Sequence, residues 1–455
     1  MRSRRLMQLV SCAFIAALAI PSPLAPQNQQ EPKKQVFYIV KDLGTLGGSG
    51  GQGSTAEAIS NRGWIVGTSD MPGDMTVHGF VWREGQMMDL GTLGGLNTAE
   101  YGTNISRKTN QIAGTSQTSD ADPLGENWGL LFNCTTNGTP CDGFQNLVRG
   151  FVWQDGVLTT LPTLGGNNDQ ASGINDYDQV VGWAENSVQD PTCPLPPYSN
   201  VLDYEPVIWE RQNDGAFHVR ELPRIAGDTN GMAGNLNDRG QITGFTSDCP
   251  QSATHAVLWA GSTITDMGNL GGTFNFPGEI NSHGQVIGIS AITGNTTGHA
   301  FLWQKGSIMT DLGTLPGDFF SFAFGINDEG VIVGGSCSGF FSGCRAVLWQ
   351  SGAMTDLNTL VRPGSTPLQL FFGNDINDRG EIAIYAFNPT NGELRAALAI
   401  PCDESHADVE ACAEGTTPIG TRTGENPKVA LPENIRGQLL KRMPFERFIS
   451  SQQTQ

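Results

Sequence analysis

The sequence predicts an all-β fold: a seven-bladed β-propeller of four-stranded antiparallel blades, closed by an N-terminal strand. Three observations predict it: a turn motif that recurs seven times, a strand ending in Trp that follows six of those copies, and Gly-rich crossings between the units. Amphipathic helix periodicity is nearly absent between residues 36 and 400. A repeat period in the forties is typical of propellers and related arrays.

The turn motif is an apolar residue, usually followed by Asn, then polar residues, β-branched residues and Gly. Its copies begin at residues 59, 105, 174, 236, 280, 326 and 376, as in INSHGQVIG and INDEGVIVG. The intervals are 46, 69, 62, 44, 46 and 50 residues, so units two and three carry insertions. Gly and Asn tolerate positive φ, and the motif therefore predicts a hairpin turn between the first and second strands of each unit.

The second motif is a strand with period-two alternation, written HGFVW, RGFVW, EPVIW, HAVLW, HAFLW and RAVLW in units one to six. The seventh copy, RAALAI from Arg395, has no Trp. Because the aromatic residues are placed periodically, we predict that they form core rather than a ligand cage. They are Trp82, Trp153, Trp209, Trp259, Trp303 and Trp349.

The position that opens this strand is basic in six of the seven units. A ring of cations that binds an anion is one interpretation. A shared packing role is the favoured one, because the residue recurs in nearly every unit and Glu205 interrupts the charge. The residues are His78, Arg149, Glu205, His255, His299, Arg345 and Arg395.

The third motif, DLGTLGG from Asp42 and again from Asp89, ends the fourth strand and punctuates the units. One four-stranded sheet cannot bury both faces, but neighbouring blades bury them for each other. Unit seven lacks its own fourth strand, whereas residues 36–43 form a spare one. We predict that residues 36–43 pair with residues 394–400, since an open ring would expose two sheet edges. An open β-solenoid is the rival architecture, although its units are usually shorter.

Together the three motifs resemble the HAF-type probable extracellular repeat family, named for a triplet present here at His299-Ala300-Phe301. The resemblance covers nearly all of residues 37–400. It implies a secreted bacterial protein with a repeat β architecture, and it carries no assigned reaction, so no catalytic residue is transferred. Unit seven, without its Trp, and unit three, with Glu205-Pro206, depart from the pattern.

Residues 1–25 are predicted to be a signal peptide, because Arg2, Arg4 and Arg5 precede an apolar run that ends near Ile20. A lipoprotein signal with Cys12 and an uncleaved anchor are the alternatives. Residues 36–401 form the predicted propeller, and residues 402–455 a tail with a possible short helix. No later apolar run approaches twenty residues, so we expect a secreted protein, extracellular or periplasmic, with no membrane span in the mature chain.

Charge and cysteine content restrict the partners further. The 45 acidic residues exceed the 26 basic ones, giving a net charge of −19, which is unsuited to nucleic acid. Export makes disulfides permissible. The predicted pairs are Cys134–Cys141, Cys337–Cys344, Cys402–Cys412 and, by elimination, Cys193–Cys249. The chain has no C-x-x-C and little His, so no structural zinc site is expected.

The insertions at residues 115–148 and 185–204 are the candidate binding region, because loops on a rigid scaffold commonly carry function. Aromatic faces and carboxylates would suit a sugar or a peptide. The candidate ligand-binding residues are Trp128, Tyr198, Tyr204, Asp120, Asp122 and Glu126. No cofactor or metal is predicted; calcium at Asp120-Ala121-Asp122 is the alternative, and Asx turns explain the repeated Asn-Asp pairs.

The chain has no H-E-x-x-H or Walker sequence, and no catalytic residue is predicted. We therefore expect a monomeric binding or scaffolding module for an unidentified extracellular glycan or protein. A carbohydrate- or peptide-active enzyme on the same fold is one alternative, and a purely structural surface protein is another. Two carboxylates in the axial cleft, one with a raised pKa, would favour the enzyme.

Overall fold

A computed structural model of the chain describes residues 36–48, 53–73, 76–126, 135–136, 139–140, 146–189, 202–248, 253–339, 342–362, 365–407, 409 and 412. These residues form seven four-stranded antiparallel sheets that are arranged in a ring, with almost no helix. The first strands of neighbouring blades contact one another, so they line the axis of the ring. The predicted β-propeller is confirmed.

In blades 1 to 6 the strands follow the order of the chain. Blade 1 consists of β2 (Ser54–Ile59), β3 (Ile65–Asp70), β4 (Val77–Arg83) and β5 (Gln86–Asp89). Blade 2 consists of β6 (Gly94–Ile105), β7 (Ile112–Ala121), β10 (Asn146–Gln154) and β11 (Val157–Thr160). Blade 3 consists of β12 (Asp169–Ile174), β13 (Gln179–Gln189), β14 (Leu202–Arg211) and β15 (Phe217–Glu221). A small hairpin in the blade 2 insertion is formed by β8 (Thr135–Thr136) and β9 (Thr139–Pro140).

Blades 4 to 6 repeat this plan, and blade 7 completes the ring. Blade 4 consists of β16 (Asn230–Leu236), β17 (Gln241–Ser247), β18 (Thr254–Ala260) and β19 (Thr263–Asp266), and blade 5 of β20 (Gly271–Ile280), β21 (Gln285–Ile292), β22 (Gly298–Gln304) and β23 (Thr310–Asp311). Blade 6 consists of β24 (Phe320–Ile326), β25 (Ile332–Gly339), β26 (Ser342–Gln350) and β27 (Ala353–Asp356). Blade 7 consists of β28 (Gln369–Ile376), β29 (Ile382–Asn388), β30 (Glu393–Pro401) and β1 (Tyr38–Asp42). Single 3₁₀ turns lie at Leu357–Leu360 and Glu404–His406.

The N-terminal strand completes blade 7. β1 pairs antiparallel with β30, from Tyr38 opposite Pro401 to Asp42 opposite Ala397. Tyr38 and Val40 are buried in the core of this blade, whereas Lys41 is exposed on the other side of the strand. The predicted closure is confirmed, because the first strand of the chain pairs with the last strand of the ring.

The hydrophobic cores lie between blades, as the burial argument requires. Phe301 and Trp303 of blade 5 pack in one cluster with Leu258 of blade 4. Ala300 on the opposite face of the same strand packs with Trp349 of blade 6. The predicted alternation is therefore present, and each blade contributes one apolar face to each neighbour.

The repeated Trp residues are buried, and Trp209, Trp259 and Trp349 also link blades through hydrogen bonds. The indole N–H of Trp209 donates to the Pro162 carbonyl of the preceding blade at 2.7 Å, and Trp259 donates to Pro223 at 2.6 Å. In blade 7, Ala399 stands opposite Ile382, where Trp82 stands opposite Ile65 in blade 1. Ala399 is fully buried, and its core cluster includes Tyr38 and Val40 of the closing strand.

The Asn residues of the turn motif link neighbouring blades at one end of the axis. Each side-chain oxygen accepts N–H groups within its own turn, as Asn281 does from His283 and Gln285 at 3.0 Å each. Its side-chain amide donates to the corresponding carbonyl of the next blade, as from Asn281 to Asn327 at 3.0 Å. The predicted Asx turns are present, and they also form an inter-blade belt that includes Asn175, Asn237, Asn281, Asn327 and Asn377.

The ring has two faces. The turn face carries the turns between first and second strands and between third and fourth strands. The loop face carries the connections between second and third strands, including both insertions, and the crossings between blades. β7 and β13 run further into the insertions than the sequence indicated, ending at Ala121 and Gln189. The described part of the chain contains the predicted disulfides Cys337–Cys344 and Cys402–Cys412.

Candidate functional site

The sequence-predicted binding residues are distributed unevenly over the loop face. Asp122 and Glu126 are buried at the base of the blade 2 insertion, whereas Asp120 is exposed at the end of β7. Tyr204 lies within β14 and is also buried, with its ring edge-on to Trp183 at 5.7 Å between centroids. Trp128 and Tyr198 lie outside the described residues, as do Cys134, Cys141, Cys193 and Cys249.

Three buried carboxylates converge on one amide at the base of the insertions. The side-chain nitrogen of Asn168 lies 2.8 Å from Asp122 Oδ2, 3.2 Å from Glu185 Oε1 and 3.5 Å from Glu126 Oε2. Asn168 belongs to the crossing between blades 2 and 3, and Glu185 to β13. We call Asp122, Glu126, Asn168 and Glu185 the carboxylate cluster.

Backbone groups fix the carboxylate cluster to both insertions. Glu185 Oε2 accepts the N–H groups of Asn167 at 3.0 Å and Asn168 at 2.8 Å. Glu126 Oε1 accepts the N–H of Leu202, the first residue of β14, at 3.1 Å. The blade 2 insertion is therefore bonded to the end of the blade 3 insertion through one buried side chain.

Burial raises the pKa of Glu185 to about 8, and the nearby Glu126 carboxylate adds to this rise. Hydrogen bonds from Asn168 and Asn167 act in the opposite direction. Two buried carboxylates close together cannot both ionise without a large electrostatic cost. The cluster consequently retains a proton at neutral pH.

The side chain that opens each third strand contacts a carboxylate in six blades and an arginine in blade 3, which supports a packing role. In blades 1, 5 and 7 the partner is the Asp that ends the fourth strand, as in His299–Asp311 at 2.9 Å. Blade 3 reverses the charges, because Glu205 pairs with Arg224 at 2.9 Å. The pairs are His78–Asp89, Arg149–Asp169, Glu205–Arg224, His255–Asp228, His299–Asp311, Arg345–Asp318 and Arg395–Asp42.

An axial cavity of about 110 Å³ opens on the turn face among the Asn-Asp turns. Its lining is mostly polar and includes Asn104, Arg107, Lys108, Asn235, Asp238 and Glu279. The lining Asp residues also bind neighbouring blades: Asp328 accepts the N–H of Ser282 at 2.8 Å, and Asp378 accepts that of Asp328 at 3.0 Å. These carboxylates are thus part of the ring structure.

Arg107 reaches across the floor of this cavity from blade 2. Its guanidinium bonds to Glu279 of blade 5, to Asp375 of blade 7 at 3.0 Å and to the carbonyl of Ile59 in blade 1 at 2.8 Å. Glu279 also accepts the N–H of Ile326 in blade 6 at 2.9 Å. Arg107 and Glu279 together therefore connect five blades at the axis.

Glu279 is one of two acids beside Arg107. Burial raises the pKa of Glu279 to about 8, against the lowering effect of Arg107, and Asp375 adds to the rise. The sequence indicated neither Arg107 nor this pair. The available signal was that Glu279 and Asp375 precede the apolar residue of the turn motif, where other units have Ala, Asn or Gly.

Within the described ranges, no group of three or more His, Cys, Asp or Glu residues is arranged to hold a metal ion. Asp120 and Asp122 do not share a site, because Asp120 is exposed and Asp122 faces Asn168. No helix in this part of the chain is long and apolar enough to cross a membrane.

No protein-family model matches the chain, and no curated protein matches it in sequence. Several solved structures match its fold. A gluconolactonase from Xanthomonas campestris is 11% identical, over 81% of this chain and 91% of its own, with a TM-score of 0.35. The β-propeller domain of the Trilobed protease from Pyrococcus furiosus is 11% identical, over 80% and 93%, with a TM-score of 0.43. A puromycin hydrolase is 12% identical, over 76% and 51%, with a TM-score of 0.48. Likeness at this level carries no argument about the function of this chain.

Proposed function

We propose that the protein is a secreted binding or scaffolding module of the HAF repeat type, which binds an extracellular glycan or peptide on the loop face over blades 2 and 3. The disulfides Cys337–Cys344 and Cys402–Cys412 support export, because such bonds persist in oxidising compartments. The propeller supplies a rigid ring on which loops are presented.

The carboxylate cluster is the single observation that carries this proposal. Burying several acids costs stability that an apolar contact would not, so their presence at the base of two insertions calls for a purpose beyond packing. The bond from Leu202 to Glu126 fixes the two insertions to each other. Loops held at their base present a preformed surface, which lowers the entropy lost on binding.

Binding of the purified protein to glycan and peptide arrays tests the proposal. Asp120→Ala alters an exposed carboxylate on the loop face and is expected to weaken binding. Glu329→Ala alters an exposed carboxylate on the turn face and serves as the matched control. Saturable binding that only the loop-face variant weakens supports the proposal. If the protein binds neither array, or if the two variants weaken binding equally, the proposal is contradicted.

A hydrolytic enzyme is the second candidate, because Glu279 and Asp375 lie together at the axis and burial raises the pKa of Glu279 to about 8. Arg107 bonds to both acids, which favours a structural role and places this candidate second. Turnover of an array glycan or peptide by the wild type, lost in a folded Glu279→Gln variant, would establish the enzyme and displace the binding module.

A further inference from the structure

The segment after the last strand packs against the joint that closes the ring. Cys402 donates its N–H to the Phe37 carbonyl at 2.7 Å, immediately before β1. The disulfide Cys402–Cys412 folds the segment back, and Arg362 joins both sides: its N–H donates to the Tyr38 carbonyl at 2.9 Å, and its guanidinium to the Cys412 carbonyl at 3.0 Å. We call residues 402–407, 409 and 412 the strap.

A single histidine attaches the strap to the turn of blade 7. His406 is 5% exposed, and its Nδ1 lies 3.0 Å from Asp403 Oδ1. Its Nε2 lies 3.4 Å from Glu381 Oε1, without a hydrogen bond to any described group. The imidazole ring of His406 therefore lies between two carboxylates. One is Asp403 within the strap, and the other is Glu381 in the turn between β28 and β29.

The other groups around His406 do not remove this arrangement. Arg379, in the same turn, bonds to the other oxygen of Glu381. The Ser405 hydroxyl donates to Asp403 at 2.6 Å and also lies 2.8 Å from His406 Nδ1. Glu404 is exposed. Although burial acts to raise it, bonds from Ser405 and His406 hold the pKa of Asp403 below its usual value. Burial and then the charge of Asp403 raise the pKa of Tyr38 in β1 to about 12, so the strap and the closing strand influence each other directly.

We propose that the strap is pH-sensitive and holds the N-terminal strand in the last blade, with His406 as the contact that responds to pH. A protonated imidazole donates from both nitrogens and serves both carboxylates. A neutral imidazole has one N–H, so either tautomer leaves a lone pair facing a carboxylate. The strap is consequently tightest when His406 is protonated, and it loosens as the pH rises.

Hydrogen exchange of a peptide covering Tyr38–Asp42 tests this device. Wild type and His406→Gln are compared at about pH 5.5 and about pH 8.5, on either side of the range in which imidazoles ordinarily titrate. Because both proteins are measured at the same pH, the intrinsic pH dependence of exchange cancels. At the lower pH the variant is expected to exchange about tenfold faster, the effect of losing a charge-assisted contact, and at the higher pH within about twofold of the wild type. A rate ratio that is the same at both pH values would overturn the proposal.

Two further variants and one control separate the titrating contact from general packing. Glu381→Gln keeps the histidine but removes its partner at Nε2, and it is expected to reproduce the low-pH effect. Replacing both Cys402 and Cys412 with Ser is expected to speed exchange of β1 at both pH values, and no change there would also overturn the proposal. The control is His218→Gln, an exposed histidine paired with Asp214 in blade 3, which should leave β1 unchanged.

Discussion

The side-chain amide of Asn377 donates to the carbonyl of Ser60 at 3.0 Å, across the joint between the last blade and the first. The same bond joins blades 3 to 4, 4 to 5, 5 to 6 and 6 to 7. The joint between blades 7 and 1 is thus bonded in the same way as the four joints from blade 3 to blade 7, although the first and last strands of the ring meet beside it. The outer edge of that joint depends on β1.

Deletion of residues 36–43 is expected to destabilise the whole ring rather than its first blade. The deletion removes the buried Tyr38 and Val40 and exposes the edge of β30. We expect the melting temperature to fall by about 10 °C or more. We also expect that unfolding no longer takes place in a single cooperative transition. Calorimetry provides the measurement, and Lys41→Ala, an exposed change in the same strand, is the control. An unchanged melting temperature would show that β1 is dispensable.

Asn281→Ala tests the belt. The substitution removes three bonds within the turn and the bond to the Asn327 carbonyl of the next blade. We expect a loss of about 2–3 kcal/mol in the free energy of unfolding, because buried N–H and carbonyl groups lose their partners. Denaturant titration measures it, with Ser282→Ala in the same turn as the control. If the two variants are equally stable, the belt contributes nothing to stability.

The reversed pair in blade 3 permits a charge-exchange experiment. Glu205 is buried and Arg224 is its cation. Arg224→Met should cost about 3–5 kcal/mol, because it leaves a buried carboxylate without its partner. The double exchange Glu205→Arg with Arg224→Glu should be more stable than either single reversal, as a double-mutant cycle measures. Asp214→Asn, in an exposed pair of the same blade, should have no measurable effect; a double exchange no better than the singles would mean that the pair is not coupled.

Two buried glutamates predict that stability falls as the pH rises. The pKa of Glu185 and of Glu279 is about 8 in the folded protein and 4.5 as the ordinary value. The folded state therefore binds more protons than the unfolded state between these values, so the contribution is full below 4.5 and is lost as the pH rises through about 8. Melting temperatures measured across this window should decline. Glu185→Gln, which mimics the protonated form, should flatten the decline, whereas Glu221→Gln on the surface should not; a stability that rises with pH would contradict the assignment.

Cys134–Cys141 and Cys193–Cys249 stay predictions, because these four residues lie outside the described ranges. Peptide mapping without reductant is expected to recover both pairs, with Cys337–Cys344 and Cys402–Cys412 as internal positive controls. The disulfides Cys337–Cys344 and Cys402–Cys412 each join cysteines that are close in sequence, where closing the loop costs little entropy. A free Cys193 thiol would exclude the pair between the second-to-third-strand loops of blades 3 and 4.

The sequence by itself determined the parts of this protein that repeat. Seven turn motifs set the number of blades, the alternation around Trp303 assigned each face of the third strand, and the spare strand at residues 36–43 identified how the ring closes. Periodic patterns report local geometry, because side-chain direction in a strand follows directly from position. The disulfide Cys337–Cys344 was likewise foreseeable from its short separation along the chain.

Only the tertiary structure decided what meets at the axis and at the insertions. Arg107, Glu279 and Asp375 lie 96 to 268 residues apart in sequence. Glu279 and Asp375 occupy a position that the other five blades fill with Ala, Asn or Gly, and Arg107 bonds to both acids from blade 2. Glu185 meets Asp122 and Glu126 only because a crossing places Asn168 between them. Such contacts depend on how the blades are arranged around the ring, which no pattern along a single strand encodes.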